Sequence, residues 1–270
     1  MSKNAIIVGM PRSGTSMTTN IFANCGYFIA ENESKDLRSG DEFNPSGYWE
    51  AEPLIKANAE IFSAAGYPHD NTWLYDQISV QQKDNIHELQ QTDNHKSLVE
   101  IYNSNSPWVW KDPRLCYTIG YWWSLMDKNT TRVLLLKRDY GEIYNSFIRL
   151  KWRRSSTDSK TDVYKRIKDH IDAAEEALKK FDIPHITVNY SDFKTDPEKT
   201  ADLISNFFDL DLNPEDLGFK KNLNTSSLQG RLIKLSDSLG NILPDPIRKL
   251  VKRLIPGFLW KLIYPHRYTK

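Results

Sequence analysis

The chain opens on an apolar run, Ala5-Ile6-Ile7-Val8, which stops at Gly9 and gives way to Met10-Pro11-Arg12-Ser13-Gly14-Thr15-Ser16-Met17. A short unbroken apolar run before a glycine reads as a buried parallel strand. The segment from Ser13 to Asn24, closed by Gly26, reads as a helix. A strand that turns tightly into a helix aims the first backbone N–H groups, and the positive end of the helix dipole, at one point. The turn is suited to an anion there. Gly14 permits close backbone approach, Ser13, Thr15 and Ser16 add hydroxyl donors, and Arg12 adds a fixed planar cation. Gly9 and Gly14 have the spacing of the phosphate loop of nucleotide hydrolases, but Thr15 stands where that loop carries its lysine. An ordinary strand-to-helix turn capped by Ser13 is the plain alternative.

The rest of the chain repeats this alternation. Strands are expected at 108–110, 132–136 and 185–189, and helices over 51–65, 80–103, 115–126, 140–150, 163–181 and 197–208. Segment 31–50, with Gly40, Pro45 and Gly47, reads as a long loop. Strands alternating with helices give right-handed crossovers and a parallel sheet, an α/β fold of three layers with helices on both faces. The 270 residues form one expected domain, 1–270, with a basic amphipathic tail at about 245–270. Basic and acidic residues nearly cancel, 36 against 35, which argues against a general nucleic-acid binder. The two cysteines, Cys25 and Cys116, are far apart. A reduced compartment is therefore expected, and no zinc site. With no signal-like start and no apolar run long enough to span a bilayer, the expected location is cytoplasmic.

At the opening loop the chain resembles a known family. Arg12-Ser13-Gly14-Thr15-Ser16, followed by Met17, is similar residue by residue to the 5′-phosphosulfate loop of sulfotransferases that use 3′-phosphoadenylyl sulfate (PAPS). Such enzymes hold the 3′-phosphate with an arginine at a strand end and a serine eight residues later; Arg138 and Ser146 fit that pattern. A third segment, His185 to Glu198, resembles the family's late strand and the turn after it, which makes Tyr190 an implied adenine contact or else a half-buried sheet tyrosine. The resemblance runs from residue 5 to about 210. It implies a P-loop-like sulfotransferase fold, PAPS as co-substrate and PAP as product, with no metal needed.

The implied chemistry is in-line transfer of a sulfuryl group to a hydroxyl, with an amine as second choice, on a carbohydrate or small molecule. Charge growing on the bridging phosphate oxygen must be stabilised, and a base must take the acceptor proton. Trp110-Lys111-Asp112-Pro113-Arg114 resembles a motif of bacterial members and assigns Lys111 with Arg12 to the charge. Arg114 is left to bind the acceptor or to brace Asp112. The segment Asn44 to Glu50 resembles another bacterial motif and offers Glu50 as the base, with Asp112 as competitor and the plain alternative of an acidic helix start. Phe43, Tyr48, Trp49, Tyr67, Trp73 and Tyr75 suit an acceptor platform, or simply fill a core. His170 and His185 read as structural. Residues 246–270 carry seven Lys/Arg and no acid, which fits a peripheral membrane contact or docking on the protein itself. Two other functions stay open: a P-loop kinase, with Asp112 posing as a magnesium carboxylate, and an inactive nucleotide-binding scaffold.

Overall fold

The computed structural model describes residues 1–38, 40, 47–75, 77–150 and 159–218. Asp41, Glu42 and Phe43, the start of the Asn44–Glu50 motif, the basic loop 151–156 and the tail at 245–270 lie outside the described residues.

Four strands form one parallel sheet: β1 (Asn4–Val8), β2 (Val109–Lys111), β3 (Thr131–Lys137) and β4 (His185–Asn189), in the order β2-β1-β3-β4. Ile6 of β1 sits opposite Trp110 on one side and Val133 on the other. Being flanked on both edges, β1 is buried over its whole length. That is why its sequence is continuously apolar rather than alternating.

Side chains along each strand point alternately to the two faces and so enter two cores. Ile6, Val8, Trp108, Trp110, Val133 and Leu135 join the first, with residues of α3 (Glu52–Ala64), α5 (Asp93–Asn103), α6 (Leu115–Trp123) and α8 (Lys160–Lys180). Ala5, Ile7, Val109, Leu134, Leu136 and Val188 join the second, with α1 (Thr15–Asn24) and α10 (Pro197–Phe208). The result is the three-layer α/β arrangement that the alternation of elements implied. Aromatic side chains fill the first core. Tyr102, Trp108, Trp110 and Trp122 meet edge to face at 5.0–5.8 Å between ring centres. Tyr67 and Trp73, candidates for an acceptor platform, are buried as well.

The polar stretch expected as one helix over 80–103 is two, α4 (Val80–Glu88) and α5. Ser79 caps the first in a reciprocal box with Gln82, and Thr92 caps the second by accepting from the His95 N–H. A hydroxyl at the right place restarts the helix because it satisfies donors that the interior of a helix has no need to satisfy. Two short helices, α2 (Glu33–Asp36) and α9 (Asp192–Thr195), stand in segments expected to be irregular, and α7 (Tyr140–Leu150) follows β3.

By its internal contacts the chain divides into two compact units. One comprises Met1–Tyr144 and Arg153–Phe219 and holds the sheet. The other comprises Asn145–Trp152 and Lys220–Lys270, of which residues 145–150 are described. No described helix is long and apolar enough to cross a membrane. Cys25 is exposed, Cys116 is buried, and both are free thiols.

On α8, His170 is wholly buried. Its Nδ1 donates to the Arg166 carbonyl at 2.7 Å, and its Nε2 lies 2.5 Å from the Thr72 hydroxyl, from which it accepts. Burial holds the imidazole neutral and lowers its pKa to about 4. The unfolded chain therefore binds a proton on this residue between pH 6.5 and pH 4 that the folded chain does not. Stability from the neutral imidazole is complete above about pH 6.5 and is lost as pH falls toward 4. Urea unfolding at about pH 7 and pH 4.5 should show a drop in midpoint that is smaller in His170→Gln than in the parent chain.

Candidate functional site

In a parallel sheet with helical returns, ligands gather at the carboxyl ends of the strands. The loop after β1 crosses that edge. Ser13 closes it: its N–H and its hydroxyl both donate to the Met10 carbonyl, at 3.1 and 2.6 Å. The Ser13 hydroxyl is thus committed to the turn. Arg12 and Gly14 adopt left-handed backbone, with φ of 71° and 106°. Gly14 is the N-cap of α1; it brings no side chain to the first N–H groups of the helix, and the first turn carries no acid. That leaves the end of the helix dipole suited to an external anion. Met17, on the same helix, is half-buried against the second core.

At one end of this loop stands Arg138, the residue after β3. Its Nη1 donates to the Arg12 carbonyl at 3.0 Å and its Nε to Glu142 Oε2 at 2.7 Å. Its guanidinium lies 4.1 Å from the ring centre of Tyr190, which follows β4. Gly14 also approaches this ring: a Cβ there would come within 2.3 Å of it. Tyr190 is therefore interlocked with the loop and stacked under the arginine, a cation–π contact in a largely dry place. Burial raises its phenol pKa, with Arg138 opposing the rise. Ser146, eight residues beyond Arg138, is buried on α7 and belongs to the second compact unit.

At the other end stands Lys111, the last residue of β2, which is 4% exposed. Its ammonium donates to the Tyr48 carbonyl at 3.1 Å and the Ser16 hydroxyl at 3.4 Å, and it forms a buried ion pair with Glu50. Ser16 donates in turn to the Tyr48 carbonyl at 3.1 Å. The second oxygen of Glu50 lies 3.6 Å from Arg38 Nη1, and the Arg38 guanidinium covers the Tyr48 ring at 4.6 Å. Between Tyr48 and Glu50, Trp49 has φ of 57°, a left-handed conformation that costs a non-glycine residue about 1–3 kcal/mol. The bend places the carbonyl of residue 48 and the carboxylate of residue 50 on one ammonium. Among the described residues, the buried Trp49 indole N–H has no hydrogen-bond partner.

Arg114 braces Asp112: Nη1 donates to both carboxylate oxygens at 3.0 and 3.2 Å, and its backbone N–H adds a third bond at 2.9 Å. Asn58 Nδ2 adds a fourth at 3.1 Å. Burial raises the Asp112 carboxyl pKa, Arg114 opposes that rise, and the charge of Glu50 adds to it. Arg114 also donates through Nε to the Asp70 carbonyl and stacks 5.2 Å from the Trp73 ring, which ties loop 70–73 to the strand end.

A model of the sulfotransferase family matches residues 5–214. The chain belongs to the sulfotransferase family. That assignment leaves no place for the kinase alternative. Two solved structures are similar to this sulfotransferase. One is the sulfotransferase domain from the curacin biosynthetic pathway, at 14% identity, covering 85% of this chain and 82% of that one with a TM-score of 0.45. The other is a sulfotransferase from Mycobacterium tuberculosis, at 14% identity, covering 84% and 76% with a TM-score of 0.45. A search of curated proteins by sequence finds no significant match.

The sequence reading picked out both arginines and the lysine of this sulfotransferase, and the structure places Arg12 with Arg138 and Ser16 with Lys111 and Glu50. It did not pick out Arg38 or Asn58. Arg38 reaches Glu50 through an antiparallel bridge between Leu37 and Ala51, and no local pattern signals such a bridge. Replacing Gly14 by alanine puts a Cβ on Tyr190 at a φ that alanine resists. Gly14→Ala should lower stability by about 1–3 kcal/mol in urea unfolding, and Tyr190→Ala in the same chain should recover part of that loss.

Proposed function

We propose that this sulfotransferase moves a sulfuryl group from PAPS to a hydroxyl of a carbohydrate or small molecule, with Glu50 as general base. The observation that carries the reading is a cation anchored at each end of one anion-suited loop: Arg138 on the Arg12 carbonyl, and Lys111 on Ser16. A nucleotide with phosphate at its 3′ position and a phosphosulfate at its 5′ position has anionic groups at two separated points, and it suits two separated cations. The N–H groups at the start of α1, with Arg12 and Lys111, would hold the 5′ end. Arg138 would hold the 3′-phosphate, and the sequence pattern adds Ser146 to that role. Tyr190 would meet the base once the Arg138 guanidinium has turned from its ring to the phosphate.

In this reading Lys111 and Arg12 offset the charge that grows on the bridging oxygen as the S–O bond breaks. Glu50 takes the proton of the acceptor hydroxyl. The donor's anionic end competes with Glu50 for the Lys111 ammonium, so donor binding loosens the carboxylate for proton transfer. Asp112 supports the assignment by being held more fully: its carboxylate takes four hydrogen bonds from Arg114 and Asn58, whereas the second oxygen of Glu50 has only Arg38, at 3.6 Å.

Glu50→Gln should lower turnover at least about a hundredfold, measured as transfer of radiolabelled sulfate across an acceptor panel, while PAP affinity by calorimetry stays within about threefold. Undiminished turnover in Glu50→Gln would move the base to Asp112. Arg138→Ala should weaken PAP binding at least about tenfold; unchanged affinity would remove the 3′-phosphate assignment.

A further inference from the structure

Asn58 lies on α3, two turns beyond Glu50, and is completely buried. Three hydrogen bonds use its side chain. Its Nδ2 donates to Asp112 Oδ2 at 3.1 Å. Its Oδ1 accepts from the Trp122 indole N–H at 2.8 Å and from the Thr118 hydroxyl at 2.7 Å. An indole N–H can only donate, so Trp122 fixes which way the amide points and leaves Nδ2 for Asp112. Asp112 is the residue after Lys111. Asn58 is therefore a direct tie between the strand end that carries Lys111 and the helix that Glu50 leads into.

We infer that Asn58 is a positioning residue: it sets the buried Lys111–Glu50 pair by joining α3 to the end of β2, an inference that rests on the sulfuryl-transfer reading for its consequence in catalysis. The tie runs beside the ion pair, so the helix and the strand end are held here by both. A buried ion pair needs its geometry imposed from outside, because a small change in separation alters both the attraction and the access of water. Both polar atoms of the Asn58 side chain are hydrogen-bonded, which makes it a rigid frame rather than a soft one.

The test uses a change that leaves the shape alone. Asn58→Asp keeps the oxygen that accepts from Thr118 and Trp122 but sets a second carboxylate against Asp112. The charged and titratable groups around Asp112 are Arg114, Glu50 and Cys116. Two carboxylates in contact hold together only when they share a proton, so the tie is broken at alkaline pH and remade in acid. The readout is competitive acylation of Lys111, mapped by mass spectrometry and expressed relative to the half-exposed Lys96 in the same digest. The ratio in Asn58→Asp should rise at least about fivefold over the parent at about pH 8, and this excess should shrink below about twofold at about pH 6. Phe22→Ala, which weakens the other core, should leave the ratio within about twofold of the parent. Trp122→Phe removes the donor that orients the amide and should raise the ratio at both pH values; it decides the matter if Asn58→Asp does not fold. A parental ratio in both variants, or a rise in Asn58→Asp that does not depend on pH, overturns the inference. Loss of PAP binding in the parent chain would instead sink the functional reading while leaving the labelling result intact.

Discussion

The site depends on a lysine and a glutamate that face each other away from water. Lys111 and Glu50 are each about one-twentieth exposed, and each is the other's buried partner. Everything near them serves that pairing. The Tyr48 carbonyl and Ser16 take up the remaining donors of the ammonium, and Arg38 shares the second oxygen of the carboxylate. The left-handed bend at Trp49 is the strain that this arrangement carries. A paired, neutralised lysine is stable at rest, yet it is available to any anion that competes better than the carboxylate does.

The parallel sheet makes such a site natural. β1, β2, β3 and β4 all end on the same edge, and each ending supplies a part: the anion loop, Lys111, Arg138 and Tyr190. The two cores hold this edge in place from both faces. Large aromatic side chains lock the strands of the first core, so the loops above stand on a stiff base.

Much of this was legible in the sequence because it is local. A continuous apolar run ending in glycine identifies a central parallel strand, and Gly14 with its hydroxylated neighbours identifies the turn. Arg138 and Lys111 could be found because each stands at a strand end inside a short motif that resembles one of the family's. What could not be read lies in contacts between distant segments. Asn58 and Asp112 meet across 54 positions, and Arg38 meets Glu50 through a bridge without periodicity. The break between α4 and α5 was missed for a different reason: Thr92 acts as a cap only because the backbone turns there, and in a polar run a threonine looks like any other surface residue. The aromatic residues of loop 66–76 read as platform or packing, and Tyr67 and Trp73 are buried where Tyr75 is only partly so.

The interlock of Gly14 with the ring of Tyr190 has a bearing on how the protein is made. The two residues are far apart in the chain, and Tyr190 follows the fourth and last strand to join the described sheet. A ribosome-bound chain that has not yet emitted residue 190 has nothing to press against the first loop. The anion-suited turn, although encoded within the first seventeen residues, takes its final backing only late in synthesis, so the earliest motif in the chain is among the last to be finished.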